Sequence, residues 1–156
     1  MKIIYCFRVY YFLYQPEEKI RVYFFVNKAI VLNSWEYKYL SLNTSLFLIK
    51  TSAGPIAITN IYNPRQKGQP TLSCWEEVIQ ATENNSAHQI LLGDLNLHHP
   101  QWGGPYVHAE APAEELLKIT AAGGLRVATP TGAIIWQRMP SSQSTIDLTF
   151  INKGLY

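Results

Sequence analysis

The sequence predicts an α+β chain, an α/β layered sandwich of two mixed or antiparallel sheets flanked by helices. Three observations predict it. Short runs rich in β-branched and aromatic residues outnumber the amphipathic helical stretches. A Gly54-Pro55 turn signal joins two of these runs as a hairpin, while others are separated by helix-length segments. The helical patterns come late in the chain.

Bulk properties bound the rest. A chain of 156 residues can bury one real core and is too short for two ordinary domains, so one domain is expected over 1–156. At 47% hydrophobic and 15% charged residues, disorder is excluded as the general state. The formal net charge of +2 permits a nucleic-acid partner without arguing for one, because no Lys/Arg cluster stands out. Cys6 and Cys74 form no CxxC and read as buried free thiols. The apolar start is interrupted by Arg8, lacks a small-residue cleavage site, and ends at Gln15-Pro16-Glu17. It is shorter than the roughly 20 residues of a spanning helix, so it reads as a strand, not a leader or a membrane anchor.

In order along the chain, strands are expected at 3–13, 20–26, 45–50 and 56–62, with the last two forming the hairpin. Residues 63–70 are a polar loop. Ser73 and Glu76 make a capping box, and Trp75, Val78, Ile79 and Thr82 share one face of a helix over 73–84. Ile90-Leu91-Leu92 is a short buried strand that stops at Gly93. A long irregular stretch runs to Pro112. A helix follows over 113–122, with Glu114 and Glu115 in its first turn and Gly123-Gly124 at its end. Three more strands are expected at 125–128, 134–138 and 146–151.

Candidate chemistry gathers at strand ends. Asp94 and Asn96 follow Gly93 with one residue between them, and strand alternation would point both the same way. A carboxylate beside an amide suits orienting a water while stabilising an anion; a plain polar turn is the bland alternative. His98-His99-Pro100 and Trp102-Gly103-Gly104 follow, a costly run for an idle loop, and suggest a cleft. Zinc on His98 and His99 is disfavoured, because adjacent residues seldom face one ion and no third ligand is spaced to help. Thr145, Asp147 and Thr149 alternate with Ile146, Leu148 and Phe150, so Asp147 lies on the face away from the core. A partner histidine would explain an aspartate there. Tyr62 ends a strand before Asn63-Pro64, where its hydroxyl can donate to an oxyanion.

Taken in order, Tyr62, Asp94/Asn96 and Asp147 resemble the endonuclease/exonuclease/phosphatase family with its DNase I-like α/β sandwich. Within it the chain is most similar to the endonuclease domain of LINE-type non-LTR retrotransposons. The likeness rests on Gly93-Asp94-Leu95-Asn96-Leu97-His98-His99-Pro100 with Trp102-Gly103, on Ser144-Thr145-Ile146-Asp147-Leu148, and on Asn60-Ile61-Tyr62-Asn63-Pro64. Phe25-Val26-Asn27-Lys28 and Trp35 also fall in family positions, and the resemblance covers roughly residues 20–152.

The resemblance implies metal-dependent phosphodiester hydrolysis with Mg²⁺ or Mn²⁺ as cofactor. The implied catalytic residues are Asp94, Asn96, Tyr62 and Asp147, and His98, His99 and Thr145 are implied to bind substrate. Asp94 would orient or deprotonate water, Asn96 would position it, Tyr62 would hydrogen-bond the phosphate, and Asp147 would brace a histidine. DNA is the implied partner, with a downstream reverse transcriptase in a longer reading frame, no membrane, and an intracellular, nuclear setting.

The chain departs from the pattern at both ends. The family's metal-binding Glu and its C-terminal Ser-Asp-His have no match, and no metal ligand is assigned. The expectation is therefore an incomplete domain, a fragment with weak or no activity alone. Two rivals remain: a small-molecule phosphoesterase of the same superfamily, and a non-catalytic nucleic-acid-binding remnant.

Overall fold

The structure is a computed structural model. It describes residues 3–6, 10–13, 19, 21–66, 69–83, 88–134, 136–139 and 142–155. Its centre is a six-stranded mixed sheet containing β4 (Trp35–Ser41), β5 (Thr44–Thr51), β6 (Gly54–Ile61), β7 (His88–Asp94), β8 (Leu125–Val127) and β11 (Asp147–Asn152). The strand order is β4-β5-β6-β7-β11-β8. Within this sheet β6 and β7 run parallel, and the other neighbours are antiparallel. A three-stranded antiparallel sheet joins β1 (Ile3–Cys6), β2 (Tyr10–Leu13) and β3 (Phe24–Asn27), and β9 (Trp136–Met139) pairs with β10 (Ser142–Ser144).

The parallel pair needs a crossover, and helix α1 (Trp75–Thr82) supplies it. Helix α3 (Ala111–Ala122) packs beside α1 on the same face of the large sheet. Ile61, Leu91, Leu148 and Phe150 from the strands meet Val78 and Leu116 from the helices, all at most 1% exposed. Each such side chain contributes about 1.5–3 kcal/mol by leaving water. A second core lies where the three-stranded sheet meets β4 and β5, built from Leu13, Val26, Trp35, Tyr37 and Phe47. The two cores make a layered sandwich, as the sequence predicts.

Several elements differ in detail from the sequence reading. The strand expected over 3–13 is two antiparallel strands, because Ile3 pairs with Leu13 and Cys6 with Tyr11; residues 7–9 lie outside the described residues. Strand β4 was not anticipated, although Trp35, Tyr37 and Tyr39 alternate with Glu36 and Lys38 along an edge strand. The first helix is shorter than 73–84, and Ser73 does not cap it. The Ser73 hydroxyl donates to Asn63 Oδ1 instead, so the capping box yields to a longer-range bond. Trp75 is 47% exposed, and the buried stripe of α1 runs through Val78. The irregular stretch before Pro112 holds a one-turn helix, α2 (Pro100–Gly103). Among the described residues, no helix is long and apolar enough to cross a membrane.

Candidate active-site cleft

Strand direction brings the candidate residues together. Strands β6 and β7 are parallel, so Tyr62 and Asp94 emerge at the same end of the sheet. Strand β11 runs antiparallel to β7 and begins at that end with Asp147, whose partner in the ladder is Asp94. Backbone bonds seal the corner: Asn63 N–H donates to Asp94 O at 2.8 Å, and Leu95 N–H donates to Ile146 O at 2.9 Å. Alternation then sorts the faces. Leu91, Leu148 and Phe150 turn toward the helices, and Asp94, Asp147 and Thr149 turn away from them.

That outward face opens into a cleft of about 660 Å³, lined among others by Arg21, Asn60, Tyr62, Asp94, Thr129 and Asp147. Its floor depends on Gly93. At φ +143° the residue adopts a conformation that L side chains rarely take, and a Cβ there would lie 1.8 Å from Ile61 O. Only glycine lets β7 approach the end of β6 this closely.

Asp94 and Asn96 are adjacent, but not through strand alternation. The strand ends at Asp94, Leu95 is fully buried, and Asn96 has a left-handed φ of 51°. Asp94 Oδ1 accepts the Asn96 backbone N–H at 3.2 Å, an Asx-type turn. The Asn96 side-chain amide donates to Asn63 O at 3.0 Å. Burial pushes the Asp94 carboxyl above its ordinary pKa and the negative charge of Asp147 adds to the rise; the hydrogen bonds from Asn96 and the charge of Arg65 oppose it.

Of the other predicted residues, Asp147 shares the cleft and His98, His99 and Thr145 do not line it. Asp147 is exposed in the cleft mouth, and no histidine hydrogen-bonds it among the described residues; the neighbour it faces is Asp94. His98 Nδ1 lies 3.1 Å from Glu110 Oε1 and 2.9 Å from an Arg65 nitrogen. His99 Nδ1 accepts the Gln101 N–H at the start of α2, and its Nε2 lies 3.0 Å from Glu114. The two histidines thus face different carboxylates, and no group of three or more ligating side chains occurs among the described residues. Thr145 is buried and donates to Ala133 O. With His98, Trp102 and Ile134 it lines a second cavity of about 240 Å³. Trp102 is fully buried, its indole N–H donating to Leu97 O at 3.0 Å, and so anchors the loop that carries both histidines.

Sequence reasoning missed Asn63, Arg65 and Arg21. Asn63 is fully buried and donates to Thr71 O and Leu95 O while accepting from Ser73 N–H and Oγ. It ties the polar loop, the α1 entry and the Asp94 turn to one side chain. Arg65 donates to Asn96 O at 3.3 Å and lies 3.8 Å from Glu110. Arg21 sits over the Tyr62 ring, 5.3 Å from its centroid. The only local signal for Asn63 is its position directly before a proline; nothing local marks the arginines.

Two carboxylates converging on one cleft are a donor set that fits a hard divalent cation. Mg²⁺ is commonly held by one or two carboxylates and completed by substrate phosphate oxygens. The unfavourable Asp94–Asp147 repulsion is what such a cation would relieve.

Fold and cleft together define an endonuclease/exonuclease/phosphatase-type protein of DNase I-like architecture. Residues 56–156 match the family described as endonuclease-reverse transcriptase, and the chain belongs to that family. No curated protein sequence matches it. Among solved structures it is similar to the endonuclease domain of TRAS1, a telomere-specific non-LTR retrotransposon. That match has 18% identity and a TM-score of 0.59, covering 76% of this chain and 56% of that one. It is also similar to a mutant Cimex nitrophorin solved as its ferrous NO complex, with 12% identity and a TM-score of 0.51. There 83% of this chain and 58% of that chain are covered. The chain thus spans little more than half the length of either structure. Because one fold serves such different proteins, function is argued from the cleft.

Proposed function

We propose that this chain carries the hydrolytic cleft of a retrotransposon-type DNA endonuclease that nicks phosphodiester backbones. The observation that supports it is the convergence of Tyr62, Asp94 and Asp147 on one sheet end, in a family of endonuclease–reverse transcriptases. Asp94, its proton affinity raised, orients a water and takes its proton as the water oxygen bonds to phosphorus and the bridging P–O bond to the leaving strand breaks, the leaving oxygen taking a proton from solvent. The Asn96 backbone N–H holds that carboxylate in place. The Tyr62 hydroxyl donates to a non-bridging phosphate oxygen as charge builds there. Mg²⁺ or Mn²⁺, held by Asp94 and Asp147, would supply charge neutralisation at the phosphate. His98, His99 and Thr145 contribute indirectly, by fixing the loops beside the cleft.

The described residues bring neither a third ligating side chain nor a histidine to Asp147. Turnover by this chain alone is therefore slow or absent. In a longer reading frame the natural partners are DNA and a reverse transcriptase, acting in the nucleus.

Conversion of supercoiled plasmid to open circles tests the reading. Slow nicking that needs Mg²⁺, stops in EDTA and falls at least about 100-fold in Asp94→Ala is expected. Nicking indifferent to EDTA or to Asp94→Ala would overturn the assignment of the cleft. The scarcity of ligating side chains favours one second reading, a nucleic-acid-binding domain without catalysis. DNA binding without any nicking is its signature, and at a net charge of +2 that binding is weak and salt-sensitive.

A further inference from the structure

Arg21 is the one cationic side chain among the described residues that line the cleft. Asp94 and Asp147 line the same cleft, so an incoming phosphodiester meets negative charge from the protein as well as its own. The charge of Arg65 acts on Asp94, but Arg65 does not line the cleft and its guanidinium is committed to Asn96 O, His98 and Glu110. Arg21 is uncommitted: among the described residues its guanidinium has no carboxylate partner and rests only on the Tyr62 ring. Its backbone, by contrast, is anchored. Arg21 N–H donates to Leu42 O at 2.9 Å, Val22 is buried, and Asn60 Nδ2 donates to Tyr23 O at 3.3 Å. A free planar fork on a fixed base, at the mouth of an anion-processing cleft, is an arrangement suited to bidentate phosphate recognition.

Resting on the proposed function, we infer that Arg21 and Tyr62 form a phosphate grip for a backbone phosphate of the bound nucleic acid. The tyrosine ring holds the guanidinium in plane, and the guanidinium and the phenol hydroxyl donate to the same phosphate. The gripped phosphate is the scissile one, and the grip holds it within reach of Asp94.

Fluorescence-anisotropy titration with a short, nuclease-resistant phosphorothioate duplex in Mg²⁺, repeated over a series of salt concentrations, tests this. In Arg21→Gln the affinity falls about tenfold at low salt, and the slope of log K against log salt shrinks by about one. Lys50→Gln removes the same charge from the opposite end of β5 and leaves the slope unchanged. Thermal melts of both variants match the parent chain, which separates lost contact from lost folding. If the parent chain binds the duplex and Arg21→Gln keeps its affinity and slope, the grip is wrong and the nuclease reading stands. If the parent chain does not bind the duplex at all, both fail.

Discussion

Asp94 and Asp147 stand directly opposite each other across the β7–β11 ladder, at the end of that pairing that opens to the cleft. Two like charges placed face to face on neighbouring strands destabilise a sheet. A fold that keeps them has traded stability for a local concentration of negative charge, the common compromise at working sites.

The trade is measurable through Asp94→Asn. The folded carboxyl holds its proton to higher pH than its ordinary value of 3.8. Between that value and the raised folded one the native state binds more protons than the unfolded chain, so stability falls as pH rises through the window. At neutral pH the whole penalty is present. Asparagine keeps an oxygen for the Asn96 N–H and removes the charge, so the variant melts about 3 °C higher at neutral pH. The gain disappears in acid, below the ordinary carboxylate range. Melting curves from acid to neutral pH that coincide for both proteins would contradict the assigned repulsion.

Gly93→Ala tests the close approach beneath the cleft. A Cβ would sit 1.8 Å from Ile61 O, with backbone rather than a flexible side chain as the obstacle. The expected loss is about 4 kcal/mol or more. Gly132→Ala, also at positive φ but with nothing within 4 Å, costs only about 1 kcal/mol. Urea unfolding of the two variants gives the comparison; equal losses would mean that strain alone, and not contact with Ile61, decides Gly93.

Asn63→Ala tests the buried hub. It strands the carbonyls of Thr71 and Leu95 and the N–H of Ser73 without their partner. A cost of about 3 kcal/mol is expected, together with faster amide hydrogen exchange at Leu95 and Asn96, where the Asp94 turn loses its support. A stable variant with unchanged exchange there would show that the turn does not depend on Asn63.

How much of this was legible in the sequence follows the range of each interaction. The β5–β6 hairpin was legible because Gly54-Pro55 and the flanking apolar runs are local. So was the core-facing alternation of Leu148 and Phe150. The capping role of Ser73 was misread because the competing acceptor, Asn63, is distant in sequence. His98 and His99 stand out by composition, yet they pair with Glu110 and Glu114 from another segment and do not line the cleft.

The sequence by itself determined which stretches alternate as strands, where glycine must break them, and that Tyr62, Asp94 and Asp147 would each fall at a strand end. Period-two patterning and turn chemistry are properties of neighbouring residues and need no fold to be read. Only the tertiary structure decided that these three ends meet. The parallel β6–β7 pairing, the antiparallel return of β11 and its register set Asp147 against Asp94. Packing between segments likewise brought Arg21, anchored on Leu42, over Tyr62 and gave Asn63 its partners on two sides. Register is fixed by burying one face of every strand at once, a condition on the whole sheet that no single segment contains.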